Sequence, residues 1–329
     1  MSGADPVLEA NAFLETAAPA VWAALSPLGR RLLQPAAFLP LQTAEARGKA
    51  FNATIGQITD GHGTAVPLPS MAAALSGLEP AERSRAFLYS PVEGLPELRS
   101  AWREWQRRGV KPGVPSSLPM VTAGTAQARW LAARIFIPEG RTVVLPGPFR
   151  EEDRDLFELR LRARLFPCSC TEGGHFDPVA ISRQLADLPA EEPAVALLDF
   201  PRDAAGYVPV TRERAALCSA LAAAAEHRPL VAIVDDTWEG LGSPSVSLFW
   251  QLAGRHPNLV PVKVDGADGQ LGFPGGRVGF LTFPFELESD VARSLESKLK
   301  MLLRAEVGSP PAMTQMVLLR ALRSRLEGI

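Results

Sequence analysis

The chain has 329 residues and is 47% hydrophobic and 21% charged, enough apolar content for one large or two moderate cores and too much for a disordered chain. Its 34 basic and 36 acidic residues leave a formal charge of −2, with both signs mixed along the length, so neither nucleic acid nor a membrane surface is an expected partner. The first residues carry acids and no basic-then-apolar leader, no apolar run reaches the roughly 18 residues of a membrane span, and three cysteines are too few for a disulfide framework; the expected location is cytoplasmic.

In chain order, residues 5 to 50 read as helix and connector, with Phe13, Leu14, Val21 and Trp22 spaced on one apolar face. "VTAGTAQARWLAARIF" places Gly124 and Thr125 at a helix start, where unpaired N–H groups and the helix dipole suit an anion. "TVVLPGPF", "VALLDF", "LVAIVDD" and "LVPVKVD" read as strands apolar on both faces. Between them lie "PVAISRQLADL", "TRERAALCSALAAAAEH" and "SVSLFWQLAGRH", each with helical spacing. After Phe285 the chain is helical again, through "LESKLKMLLRAE" and "SPPAMTQMVLLRALRSRL". Such alternation predicts a mostly parallel sheet covered by helices, with ligands beyond the carboxyl ends of the strands. Those ends carry Asp203, Asp235 and Asp236. Asp235 on its own is equally a strand-end turn residue.

The ordered blocks "FNATIGQITDGHG", "YSPVEGLPELRSAW", "VTAGTAQA", "FPRDAAGYVP", "IVDDTWEGL" and "VKVDGADGQLGFPGGRVGFLTF" resemble the class I/II aminotransferases, pyridoxal-phosphate enzymes of fold type I. The resemblance runs from the N-terminal helix to about Leu322. It implies an α/β fold with a mostly parallel central sheet flanked by helices and a reduced small domain. Residues 1–50 would be a helical part of that small domain, 51–285 the large α/β domain, and 286–329 a truncated C-terminal helical segment. By the resemblance, Asp235 would pair with the pyridine nitrogen and keep the ring an electron sink. Arg277, Gly124 and Thr125 would hold the phosphate, and Tyr89 would reach that phosphate across a dimer interface. Asp203 stands where an amide would face the phenolic oxygen, and Trp238 where a tyrosine would share it. Phe149 is the only candidate to stack on the ring, since Arg150, Glu151 and Glu152 occupy the usual motif.

Relatives of this kind read Asp-Gly-Ala-Thr-Lys, with an arginine eight positions after the lysine. The same length between Asp265 and Arg277 puts Gly269 at the lysine position. The chain's lysines are Lys49, Lys111, Lys263, Lys298 and Lys300, and Lys263 lies inside the preceding strand. A glycine forms no Schiff base and moves no proton. The resemblance therefore implies a pseudoenzyme acting by binding or assembly, with pyridoxal phosphate held at most non-covalently or absent. The alternative is a repurposed or residual aminotransferase-type enzyme for an amino acid or amine, binding pyridoxal phosphate or another phosphate ligand without a covalent link. A homodimer, or a heteromer with an aminotransferase-like chain, is the expected assembly. An end at Ile329 would leave the N-terminal apolar face for a partner to cover. The five glycines from Gly269 to Gly279 read as a constraint relaxed with loss of the lysine, in preference to a backbone shaped for a new ligand.

Other clusters read more plainly. Cys168, Cys170 and His175 have poor spacing and lack a fourth ligand for a metal, so burial at a strand end is expected. Asp203, Asp235, Asp236 and Asp268 could hold a divalent cation, but strand-end solvation accounts for them as well. His62 reads as a loop histidine, and no Gly-x-Ser-x-Gly nucleophile motif occurs.

Overall fold

Where the sequence is apolar on both strand faces, the chain runs through the middle of a seven-stranded sheet. The computed structural model describes residues 6–32, 44–46, 48, 49, 56–60, 62–147, 149–172, 175–189, 192–200, 207–240 and 246–326. The strands are β1 (Met120–Thr122), β2 (Thr142–Pro146), β3 (Arg164–Cys168), β4 (Thr171–Glu172), β5 (His175–Phe176), β6 (Ala194–Asp199), β7 (Leu230–Asp235), β8 (Leu259–Gly266) and β9 (Gly279–Thr282). The sheet order is β1-β9-β8-β7-β6-β2-β3, and β4 and β5 form a separate hairpin. All pairings from β8 to β3 are parallel, while β9 runs antiparallel to both β8 and β1. The expected mostly parallel sheet is thus present, and its four central strands are those read from the sequence.

The helices are α1 (Pro6–Ala17), α2 (Pro19–Ala24), α3 (Pro69–Ser76), α4 (Pro80–Arg85), α5 (Pro96–Gln106), α6 (Thr125–Phe136), α7 (Ala180–Ala186), α8 (Thr211–His227), α9 (Leu248–Leu252), α10 (Ala267–Leu271), α11 (Asp290–Val307) and α12 (Ala312–Leu326), with a helical turn Glu151–Asp153 that continues as a π-helix over Arg154–Arg160 and a 3-10 turn at Pro274–Gly276. Local chemistry sets their ends. At the start of α8 the Glu213 carboxylate accepts from the backbone N–H of Val210 at 2.8 Å, a first-turn acid satisfying a donor that has no helical partner. At α11 the Ser289 hydroxyl accepts from the N–H of Ala292 at 3.1 Å.

Period-two alternation divides the core. Val195, Leu197, Val231, Ile233, Val262 and Val264 pack under α6 and α11 on one sheet face. Ala196, Leu198, Ala232 and Val234 meet α7, α8 and α9 on the other. A third cluster joins α3, α5 and α12 around Trp102, whose indole stacks on Phe280 at 4.1 Å. The C-terminal helix α12 is therefore built into the main body, through Met316, Leu318 and Leu322. By contrast α2 buries no residue, and Phe13 and Val21 are exposed in the single chain.

Gln315 fastens α12 in place. Its fully buried amide accepts from Leu95 N–H at 2.9 Å and donates to Ser90 Oγ and to the Pro310 carbonyl, each at 3.1 Å. Gln315→Leu keeps the volume, and Ser90 Oγ still donates to the Pro310 carbonyl at 2.6 Å, but the buried Leu95 N–H loses its acceptor, at about 1–3 kcal/mol. Urea denaturation is expected to show a loss of about 1–3 kcal/mol, with far-UV circular dichroism unchanged before the transition; a loss below about 0.5 kcal/mol would contradict this role.

Candidate cofactor site at the carboxyl edge of the sheet

β6 and β7 end in register, with Asp199 opposite Asp235. Both acids share the face of Val195, Leu197, Val231 and Ile233, so alternation directs them under α6. That helix buries Thr125, Ala128, Arg129 and Ala132 along one stripe, which aims the Arg129 guanidinium at the strand ends. Arg129 contacts Asp153 and lies 3.3 Å from Asp235. Arg150, in the loop after β2, lies 2.8 Å from Asp199, 3.6 Å from Asp235 and 3.7 Å from Asp153. The second Asp235 oxygen accepts from Thr237, at 3.0 Å from its N–H and 2.6 Å from its hydroxyl.

Asp235 is 2% exposed, and burial would raise its carboxyl. Arg129 and Arg150, followed by the two Thr237 bonds, outweigh that and hold it below the ordinary carboxylate range. Burial and the adjacent Arg150 push Arg129 down, while Asp235 and Asp199 favour its charged form. The cluster thus sets two guanidiniums against three carboxyl groups, with both oxygens of Asp235 engaged.

Gly269 sits on α10 beside the strand ends. A Cβ built there would lie 2.3 Å from the Thr237 carbonyl oxygen and 2.7 Å from the Trp238 ring. The far edge of the same indole approaches a Cβ position on Gly56 to 2.7 Å, so Trp238 is seated between two glycine backbones. No side chain fits at Gly269 unless Thr237 and Trp238 shift, because the nearest atom is backbone.

The anion seat is flanked by two of the chain's own charges, Arg277 and Asp268. Gly124, at φ 89°, caps α6, and the Arg277 guanidinium lies where its Cβ would be, 2.6 Å away. Asp268 approaches Thr125 Oγ1 at 3.3 Å and Arg277 at 3.8 Å. Burial pushes the Asp268 carboxyl up to about 6, with Asp235 adding repulsion, although Arg277 and Thr125 pull it down. Arg277 itself is held in the left-handed region at φ 50°, uncommon for a residue with a Cβ.

Of the residues read from the sequence, Gly124, Thr125, Asp235, Trp238, Gly269 and Arg277 come together around the α6 N-terminus and the ends of β7 and β8. Tyr89, expected to reach across a dimer interface, is 96% exposed in the single chain, beside exposed Phe87 and Leu88. Asp203 lies outside the described residues. Phe149 packs against the α6-side core. Asp236 turns to the opposite sheet face and contacts Lys263, so it does not join Asp235 in one cation site; among the described residues no group of three potential metal ligands assembles. Lys263 is fully buried, 2.7 Å from Glu239 and 3.5 Å from Asp265. Burial would lower its ammonium, but the surrounding carboxylates hold it well above the ordinary lysine range.

Two expectations need correction. The glycines are not a relaxed loop: Cβ atoms at Gly269, Gly276 and Gly279 would each meet a neighbour within 2.4 Å, and at Gly279 that neighbour is the Gly124 backbone. Only Gly275 faces open space. Arg129, Asp153 and Asp199 were also missed as site residues. The available signal was an arginine on the apolar stripe of a helix, a position that requires a buried acid.

These residues do not fit a covalently held pyridoxal phosphate. No amine is placed at Gly269, a pyridine at Asp235 would have to displace two guanidiniums, and Asp268 already faces Arg277 and Thr125.

The family described as aminotransferase class I and II matches residues 49–327. No curated protein sequence matches the chain. Among solved structures, an aminotransferase from Anaerococcus prevotii is 16% identical with a TM-score of 0.75, covering 88% of this chain and 73% of that one. A Thermus thermophilus aspartate aminotransferase variant is 19% identical with a TM-score of 0.68, covering 92% and 74%. The aromatic-amino-acid aminotransferase of Burkholderia pseudomallei, covalently bound to pyridoxal phosphate, is 17% identical with a TM-score of 0.70, covering 92% and 76%.

Asp235→Asn tests the lattice. The amide keeps the shape but removes the carboxylate that both guanidiniums face, leaving them with Asp153 and Asp199, and the loss of these charge-assisted contacts costs about 1–3 kcal/mol; chemical denaturation without any cofactor is expected to show it, and a change below about 0.5 kcal/mol would refute a structural role. Asp268 has the opposite sign. Its folded carboxyl keeps a proton up to about 6 that the unfolded chain releases near 3.8, so it lowers stability progressively as pH rises between these values. Asp268→Asn is expected to be more stable than the parent by roughly 2–3 kcal/mol at pH 7, with the two curves converging near pH 4.

Proposed function

The chain belongs to the class I and II aminotransferase family, and from that premise we propose that it is a non-catalytic member that acts by binding or assembly. The observation that carries this reading is the absence of space for any side chain at Gly269, where Thr237 and Trp238 close on the backbone. Pyridoxal phosphate, when bound to a family enzyme, supplies an electron sink. The chain's own charges do different work here: Arg129 and Arg150 neutralise Asp235, and Asp268 partly neutralises Arg277.

A surface is available for the binding role. Phe87, Leu88 and Tyr89 form a consecutive exposed apolar strip after α4, the kind of feature that marks a protein contact. The proposed assembly is a homodimer or a heteromer with an aminotransferase-like chain. A cytoplasmic location belongs to the same reading, and no helix among the described residues is long and apolar enough to cross a membrane. A second reading, non-covalent capture of a phosphate-bearing ligand, is favoured by one observation: Arg277 is half exposed beside the α6 N-terminus.

Incubation with pyridoxal phosphate, absorbance spectroscopy, borohydride reduction and peptide mapping test the proposal together. The expected result is no aldimine band and no specific pyridoxyl-lysine; a stoichiometric label, on Lys263 or elsewhere, would refute it. Phosphate-dependent protection of the fold without an aldimine would select the second reading. Gly269→Lys is expected to lose about 1–3 kcal/mol or more through overpacking and to gain no transaminase activity. Recovery of turnover in that variant would show an otherwise intact cofactor site. Light scattering at low micromolar concentration is expected to report an oligomer that Tyr89→Asp weakens.

A further inference from the structure

The far edge of the sheet carries a thiol pair that the candidate site does not use. Cys168 is the last residue of β3, the edge strand, and Cys170 follows after one serine. Two strand residues on one face stand about 6.6 Å apart along the chain, near the upper limit of about 4.4–6.8 Å that a disulfide spans between Cα atoms. Here the strand has ended. Cys170 N–H donates to the Cys168 carbonyl at 3.0 Å, a tight turn that folds the two side chains toward each other. Their sulfurs are 3.0 Å apart, inside ordinary van der Waals contact, and both residues are thiols.

The backbone around the pair is fixed from both sides. Gly147 N–H also donates to the Cys168 carbonyl, at 2.8 Å, and Asp177 N–H donates to the Cys170 carbonyl at 2.7 Å. Bond formation then requires about 1 Å of sulfur movement and little further ordering of chain. We propose that Cys168 and Cys170 form a reversible intramolecular disulfide, making this edge a redox-responsive site whose co-reactant is a low-molecular-weight disulfide of the glutathione type.

The chemistry balances without a metal or cofactor. One thiolate attacks the small disulfide RS–SR, whose S–S bond breaks to give a mixed disulfide and one RSH. The second thiolate attacks the protein sulfur of that mixed disulfide, forming the Cys168–Cys170 bond and releasing a second RSH. The protein loses two electrons, and its two thiol protons leave with the two released thiols. So short a ring is strained, and strained disulfides have more oxidising potentials, which makes the bond reducible as well as formable. Both sulfurs are largely covered, with Cys168 5% and Cys170 2% exposed. Both lie in the core cluster that holds Phe176 and Ile181, beside the edge strand of the sheet, and exchange with the small disulfide proceeds through local opening of that edge. The site also has a route inward. The Cys168 carbonyl anchors Gly147, and the same loop carries Arg150 to Asp199 and Asp235.

Cys218 serves as an internal control. It is fully buried in α8, and burial pushes its thiol up to about 11. The experiment equilibrates the folded chain in glutathione buffers from reducing to oxidising, quenches with acid, alkylates under denaturing conditions and maps peptides by mass. In oxidising buffer the peptide holding Cys168 and Cys170 is expected to lose two hydrogens and take no alkyl group. It should return to the doubly alkylated form in reducing buffer through one two-electron transition, while Cys218 is alkylated throughout. Doubly alkylated peptide at every ratio, glutathione adducts in place of closure, or closure only in denaturant would overturn the proposal. Cys168→Ser and Cys170→Ser provide the second arm. At least one should trap a glutathione mixed disulfide with unchanged far-UV circular dichroism, and absence of an adduct in both would also overturn it.

Discussion

Two aspartates end neighbouring parallel strands side by side and are covered by a helix, and the carboxyl edge of this sheet is organised around neutralising them. Asp199 and Asp235 are paired in register and lie among buried residues. An isolated carboxylate in that position would be prohibitive, so the chain brings Arg129 from α6 and Arg150 from the loop after β2. Planar guanidiniums suit this work, since each can face more than one carboxylate without losing its charge. The lattice ties α6, the Arg150 loop and two strands together. By the family resemblance a protonated pyridine would meet the equivalent of Asp235, whereas here that carboxylate is satisfied by its own chain.

The glycines belong to the same construction. α6 begins against the backbone of β9, with Gly124 and Gly279 closer than any Cβ would permit, and Gly266 meets Thr125 in the same way. Close approach brings the N-terminus of α6 onto the end of the sheet. It also sets Trp238 against Gly269. The entropy lost in ordering glycine is offset by packing that larger residues would exclude.

A second buried ion cluster lies on the opposite sheet face. Lys263 contacts Asp236 and lies close to Glu239 and Asp265; Asp265 accepts from Trp102 at 3.1 Å and from Gln106 at 2.8 Å. This cluster connects β8 to α5 and so to the core that holds α12. Its lysine is near Gly269 in sequence, yet it faces away from Asp235 and is committed to three acids. Alternation at the end of β7 separates the two clusters, because the consecutive Asp235 and Asp236 point to opposite faces of the sheet.

Periodicity was legible in the sequence because it is local. The four central strands were found from apolar runs with no exposed face, and "TRERAALCSALAAAAEH" matches α8 from Thr211 to His227. β1, β3 and β9 were not read as separate strands: β1 and β9 are very short, and β3 is an edge strand with exposed residues and a proline. The block order and the spacing from Asp265 to Arg277 pointed to the family and to Gly269 as the informative position. What only the tertiary structure decided was who meets whom. That Arg129 and Arg150 answer Asp235, that Asp268 faces Arg277, and that glycines serve close packing all depend on contacts between segments far apart in the chain. Steric exclusion and charge neutralisation act through space, so neither composition nor period records them.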